Sequence, residues 1–111
     1  MAHYAIGVEK YVQAHINEKI TLEMLSENAF LSKYHFSREF KKETGISPMQ
    51  YVTQIKVDDA ENLLLNSDKK ILEIAEHIGY EPGRFCNLFK EFKGISPSAY
   101  RAENQLCASA V

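Results

Sequence analysis

Two stretches of the chain concentrate the side chains that could take part in binding chemistry. The first, SKYHFSREFKK at residues 32 to 42, sets four basic side chains against one acid, Glu39. The second, GRFCNLFKEFK at residues 83 to 93, sets three basic side chains against Glu91. Arginine can donate two hydrogen bonds to guanine, asparagine can pair with adenine, and lysine neutralises phosphate. These residue types suit the recognition of a nucleic acid.

The overall charge does not by itself favour an anionic partner. The 111-residue chain has a net charge of −2 and a pI of about 6.1, whereas phosphate binding usually accompanies a basic surplus. A lone basic run is also more often a solvated helix face than a binding site. Here the two basic stretches occupy matching places in an internal repeat, and this duplication favours a binding role.

The repeat covers more than half of the chain. Residues 22 to 51 align without a gap on residues 71 to 100, an offset of 49 residues, and both copies contain the segment GISP. The aromatic residues that the alignment pairs are Phe36 with Phe85 and Phe40 with Phe89. Their helical spacing predicts that they lie in a core, opposite the basic side chains.

The chain is predicted to be all-α, with about seven helices, because no segment shows the alternation of a β-strand. Thr21 and Ser32 can cap helix N-termini, and each GISP segment combines a glycine that ends one helix with a Ser-Pro that begins the next. The predicted division is a first subdomain at 1 to 47, a linker helix at 48 to 65, a second subdomain at 66 to 103 and a flexible tail at 104 to 111. The linker helix would span about 25 Å.

Each repeat reads as a short helix, a tight turn and a second helix that is aromatic on one face and basic on the other. This is the pattern of a helix-turn-helix, whose second helix enters the major groove of DNA. With the phenylalanines facing inward, the side chains expected on the outer faces are Tyr34, Ser37, Arg38 and Lys41 in the first unit, and Arg84, Asn87 and Lys90 in the second. The expected architecture is two homeodomain-like bundles joined by a long linker helix.

From about Val8 to Arg101 the chain resembles the DNA-binding domain of the AraC/XylS family of bacterial transcription regulators. The motifs that carry the resemblance are ITLEMLSENAFLSKYHFSREFKKETGISPMQY, IKVDDAENLL and ILEIAEHIGYEPGRFCNLFKEFKGISPSAYR. The resemblance implies sequence-specific binding of double-stranded DNA, with two recognition helices in successive major grooves. It also implies that RNA polymerase is a possible partner, and that an effector-binding or receiver domain is missing from this chain.

The resemblance also implies contact positions at Tyr34, Ser37, Arg38, Gly83, Arg84, Cys86 and Asn87, and His35 could reach a phosphate. The full set of residues predicted to bind DNA is Ser32, Lys33, Tyr34, His35, Ser37, Arg38, Lys41, Gly83, Arg84, Cys86, Asn87 and Lys90.

The sequence departs from the family pattern at several positions. Phe30 stands where the first turn usually has a small residue, Lys56 replaces the usual arginine of the linker helix, and Asn87 replaces a frequent arginine. The segment GYEPGRF is shorter by one residue than the common second turn and leaves Glu81, a poor N-cap, before Pro82. We therefore expect the second recognition helix to begin late or to lie at a shifted angle.

Other functions find little support in the sequence. No nucleophile elbow, phosphate-binding glycine loop or zinc motif is present, so neither an enzyme nor a cofactor is expected. The two cysteines, Cys86 and Cys107, indicate no disulfide framework and fit a reducing cytosol, and no apolar stretch is long enough to cross a membrane. Cys86 is expected to be a buried or half-buried thiol. The remaining alternative is a helical protein-interaction module that binds an acidic partner.

Overall fold

A computed structural model describes residues 4 to 109 of the chain, with side chains described through residue 104. The described residues form seven helices and no strand. The helices are α1 (Tyr4–Ala14), α2 (Leu22–Asn28), α3 (Lys33–Thr44), α4 (Pro48–Asn66), α5 (Ile71–His77), α6 (Pro82–Lys93) and α7 (Pro97–Ser109). The predicted all-α class and helix number are confirmed.

The helices form two compact units, Met1–Ile55 and Lys56–Val111. The boundary falls inside α4, so each unit takes part of that helix. The division into two subdomains, a linker helix and a flexible tail therefore stays a prediction. Of that tail, residues 110 and 111 lie outside the described part of the chain, and the backbone of the rest belongs to α7.

Aromatic rings hold α3 in the first unit. Phe36 and Phe40 are fully buried and lie 5.8 Å apart between ring centroids. Tyr4 of α1 meets Phe36 edge-on at 5.9 Å, and Tyr51 of α4 meets Phe40 at 5.3 Å. Edge-to-face pairs of this kind stabilise a core beyond the area that they bury. The inner face of α3 is thus covered by α1 and α4, which leaves its basic face outward.

The second unit repeats this arrangement around α6. Phe85 and Phe89 are fully buried, with ring centroids 5.9 Å apart, and Tyr100 of α7 meets Phe89 at 5.4 Å. The Tyr100 hydroxyl donates to the carboxylate of Glu61 at 2.8 Å. Tyr100 thus packs against the second phenylalanine of α6, as Tyr51 packs against that of α3.

The predicted start and stop signals are present in the backbone. The hydroxyls of Thr21 and Ser32 accept from the amides of Met24 and His35, both at 3.2 Å. Gly45 and Gly94 adopt φ values of 84° and 88° at the ends of α3 and α6, where a left-handed residue closes the helix.

The turns that precede α3 and α6 are closed by corresponding backbone hydrogen bonds. In the first unit, the amide of Leu31 donates to the carbonyl of Ser26 at 3.0 Å; in the second, the amide of Tyr80 donates to that of Ala75 at 3.0 Å. The 49-residue offset relates both pairs. Each turn also contains one residue with positive φ, Phe30 at 60° or Gly79 at 79°.

The predicted late start of the second recognition helix is wrong. Helix α6 begins at Pro82, which the repeat matches with Lys33, the first residue of α3. The Glu81 side chain makes no capping hydrogen bond. Proline at the first helical position has no amide to satisfy and has its φ already set for a helix, so the poor cap does not delay the start. The corresponding hydrogen bonds of the two turns likewise count against a shifted angle.

Phe30 combines strain with exposure. Its φ of 60° is unfavourable for a residue that has a side chain, and 93% of its surface is exposed. Because the ring gains almost nothing from burial, packing does not offset the backbone cost.

We expect Phe30→Gly to raise the free energy of unfolding of the first unit by about 0.5 to 1 kcal/mol. The gain is the relieved strain minus the larger chain entropy of glycine in the unfolded state. Phe30→Ala is the matched control, because it removes the ring but keeps the strain, and it should give no such gain. Urea unfolding followed by circular dichroism measures both. Equal stabilisation by alanine and glycine would contradict a backbone origin.

Candidate nucleic-acid interface

Helix α3 presents a polar and basic outer face because its two phenylalanines point into the first unit. Phe36 and Phe40 are buried, whereas Lys33, Arg38 and Lys41 are exposed. Side chains three and four residues apart share one face of a helix. The outer face of α3 is therefore built by these exposed residues, whereas the phenylalanines face the core.

Tyr34 and Arg38 form the centre of this face. Tyr34 is 73% exposed, and the guanidinium carbon of Arg38 lies 5.5 Å from the centroid of its ring. A cation held over an aromatic ring is attracted by the ring quadrupole. The contact restricts the Arg38 side chain before any ligand is bound.

A cleft of about 290 Å³ lies beside this pair. It is lined by Ser32, Tyr34, His35, Arg38 and Glu39. The Ser32 hydroxyl already serves as the cap of α3, and the His35 imidazole lies 4.0 Å from the Glu39 carboxylate. Arg38 differs from His35 in this respect. Among the described residues, no carboxylate lies within ion-pair distance of its guanidinium.

The remaining predicted residues of α3 do not line the cleft. Lys33 and Lys41 are exposed, and Ser37 is half-buried. Lysines in such positions suit a phosphate backbone, which runs along both sides of a groove.

Helix α6 offers a smaller outer face. Gly83, Arg84, Asn87 and Lys90 are exposed, whereas Cys86 is half-buried, as expected. A Cβ atom added at Gly83 would meet nothing within 4 Å. Where α3 carries Tyr34, α6 therefore has open space.

Lys93 does not belong to this outer face, although it lies in the basic stretch. Its ammonium donates to Asp58 at 2.9 Å and to Glu61 at 3.4 Å, both on α4. The hydrogen bond with Asp58 raises the pKa of Lys93 above its usual value, against burial, which lowers it. The outer face of α6 thus has two basic side chains, Arg84 and Lys90.

Sequence reasoning did not include Tyr80 in the site. The Tyr80 ring lies in the turn before α6, with the guanidinium carbon of Arg84 5.7 Å from its centroid. The ammonium of Lys56, a residue only 1% exposed, lies 5.0 Å from the same ring. Tyr80 and Arg84 are four residues apart, as are Tyr34 and Arg38. This shared spacing is the feature of the sequence from which the role of Tyr80 could have been predicted.

The described part of the chain contains neither a metal-binding cluster nor a membrane-spanning helix. Among those residues, no group of three histidine, cysteine or acidic side chains could hold a metal ion. Cys86 is a free thiol, and the side chain of Cys107 lies outside the described residues. No helix between residues 4 and 109 is long and apolar enough to span a bilayer.

Solved structures with this fold are known. The DNA-binding domain of AdpA, a global transcriptional factor solved in complex with a target DNA, matches with a TM-score of 0.86 and 30% identity over 95% of this chain and 96% of that one. The C-terminal domain of AraT, a response regulator from Geobacillus stearothermophilus, matches with a TM-score of 0.85 and 35% identity, covering 92% of this chain and 86% of that domain.

Curated proteins match over most of the chain as well. The MmsAB operon regulatory protein of Pseudomonas aeruginosa is 35% identical over 96 residues, which is 86% of this chain but 31% of that protein. The chain thus spans about a third of the length of this relative. A family model described as a helix-turn-helix domain matches residues 25–103.

These matches define the class of protein to which the two units correspond, that of helix-turn-helix transcription regulators. Within that class, the chain belongs to the AraC family. The alternative of a protein-interaction module that binds an acidic partner receives no support from them.

Proposed function

We propose that this domain binds double-stranded DNA sequence-specifically through the outer faces of α3 and α6, placed in successive major grooves. The observation that carries the proposal occurs in both units. The phenylalanines of the recognition helix are buried, and its exposed face presents an arginine held over a tyrosine ring. Arginine so held is suited to the paired acceptors of guanine. The DNA complex of the AdpA domain, at 30% identity, supports the same role.

The residues fall into two proposed roles. Arg38, Arg84 and Asn87 read base edges, with Tyr34, Ser37, Gly83 and Cys86 shaping the surface that meets the bases. Lys33, Lys41, Lys90 and His35 contact phosphates, and Ser32 contributes through the capped N-terminus of α3. Phosphate contacts supply affinity and base contacts supply specificity.

The wider role is that of one part of a larger regulator. The chain spans about a third of the curated relative, and the AraT domain is the C-terminal part of a response regulator. We propose that an effector-binding or receiver domain accompanies this domain, that the parent protein is a cytoplasmic transcriptional activator able to contact RNA polymerase, and that the domain catalyses no reaction.

Salt dependence tests the proposed DNA binding directly. The DNA for this test is a site selected from a random pool. We expect the logarithm of the binding constant to fall linearly with the logarithm of the salt concentration, with a slope of about −0.9 for each phosphate contacted. Lys41→Ala should make this slope shallower by about one unit. Lys10→Ala, which removes an exposed lysine from α1, is the matched control and should leave it unchanged. Fluorescence anisotropy with labelled duplex measures all three.

The same titrations carry an outcome that contradicts the proposal. A domain that specifically recognises its site should retain its preference over nonspecific competitor DNA as the salt rises. Equal affinity for the selected site, for random duplex and for heparin would show that the basic faces bind polyanions without reading a sequence.

A further inference from the structure

The two units hold an arginine against a tyrosine at different places along their recognition helices. The repeat offset of 49 residues matches Arg38 with Asn87 and Tyr34 with Gly83. The second pair, Arg84 over Tyr80, occupies the positions that correspond to His35 and Leu31. The second unit therefore has the same stacked pair displaced by three residues toward the N-terminus of its helix.

Displacement by three residues keeps the arginine on the same face of the helix. Residues three apart are neighbours on a helix surface, so Arg84 and Asn87 can reach into the same groove. Three residues advance about 4.5 Å along the helix axis, whereas successive bases on a strand are about 3.4 Å apart. An arginine at position 84 would meet a base pair about one step from the one met at position 87.

Tyr80 is fixed more firmly than Tyr34. The Tyr34 ring is 73% exposed, whereas the half-buried Tyr80 ring also lies 5.0 Å from the ammonium of the buried Lys56. The second contact ties the ring to α4 within the same unit. A ring held in this way orients the exposed guanidinium of Arg84, whose planar fork then loses less freedom on binding.

We infer that Arg84 is the guanine reader of the second unit, that Tyr80 is the residue that positions it, and that Asn87 reads adenine where Arg38 reads guanine in the first unit. The two half-sites then differ in a defined way. The second carries adenine at the position that corresponds to the guanine of the first, and its own guanine lies about one base pair away. This inference rests on the proposed binding of DNA through both helices.

Selection from a random duplex pool, carried out with the whole chain and its variants, tests the inference. Arg84→Ala should abolish the guanine preference in the second half-site alone, and Asn87→Ala the adjacent adenine preference alone. Tyr80→Leu should weaken discrimination at the guanine by about 2- to 5-fold, the loss expected for an exposed cation–π contact. Tyr80→Phe keeps the aromatic ring and should retain the discrimination at the guanine.

A double-mutant cycle separates positioning from folding. If Tyr80 acts through Arg84, then Tyr80→Leu should change the affinity for the selected site little once Arg84 is alanine. Discrimination by Arg38 in the first half-site and the circular dichroism spectrum should be unchanged throughout. A Tyr80→Leu variant that weakens both half-sites equally, or one that acts equally with and without Arg84, would overturn the positioning role.

Two further results would overturn different conclusions. If Arg84→Ala lowers the affinity for all sequences alike and makes the salt slope shallower by about one unit, Arg84 contacts phosphate and the displaced guanine reader is wrong. In that case the first half-site still responds to Arg38→Ala, and the proposed function stands. A wild-type domain that selects no sequence in either half-site would overturn the proposed function itself.

Discussion

Replacing Arg38 with alanine is expected to reduce discrimination at one position of the first half-site by about 1 to 3 kcal/mol, or roughly 5- to 150-fold. The guanidinium lies over the Tyr34 ring and lines a cleft on the outer face of α3. If the proposed function is right, its loss removes two hydrogen bonds to a guanine, and the fold should stay intact because the side chain is exposed. Affinity should be measured for the selected site and for its three variants at that position.

Arg38→Lys is the matched control for charge. Lysine keeps the positive charge but cannot form the bidentate contact, so discrimination should fall while the salt slope remains that of the wild type. Lys41→Ala should show the opposite behaviour, a loss of affinity for all sequences alike. An Arg38→Ala variant that discriminates as well as the wild type would remove Arg38 as a base reader.

Replacing Arg101 with methionine is expected to lower the free energy of unfolding of the second unit by about 2 to 3 kcal/mol. The Arg101 guanidinium donates to backbone carbonyls at the end of α4 and in the segment that follows: to Leu64 at 3.1 Å, Ser67 at 3.2 Å and Lys69 at 2.6 Å. A helix end leaves its last carbonyls without partners within the helix. Arg101 thus anchors α7 to the end of α4 through several charge-assisted hydrogen bonds.

Arg84→Met provides the matched control, because it makes the same substitution at an exposed arginine of the same unit whose described contact is the Tyr80 ring. It should cost less than about 1 kcal/mol, the value of an exposed cation–π contact. Chemical denaturation with probes in each unit measures the effect. Equal costs for the two substitutions would show that the carbonyl contacts of Arg101 add no net stability.

The elements of this fold follow from signals that are local in the sequence. Helical spacing of phenylalanines predicts which face of α3 and α6 is buried, and Thr21 and Ser32 cap as expected. These predictions hold because each depends on residues within one or two turns of a helix. The late start predicted for α6 is wrong because Pro82 favours the start of a helix even though Glu81 is a poor cap. The phenylalanines of α6 also share a core with α7, which stabilises the helix.

The sequence by itself determined the class of fold, the duplication and the two outward faces that would meet DNA. Only the tertiary structure showed that Lys93 is drawn away from one face by acids on α4, that Tyr80 is joined to the buried Lys56, and that Arg101 closes the end of α4. Each of these contacts joins residues that are more than 20 positions apart. Helical periodicity predicts which side of a helix faces inward, but packing between helices decides which distant side chain it meets there.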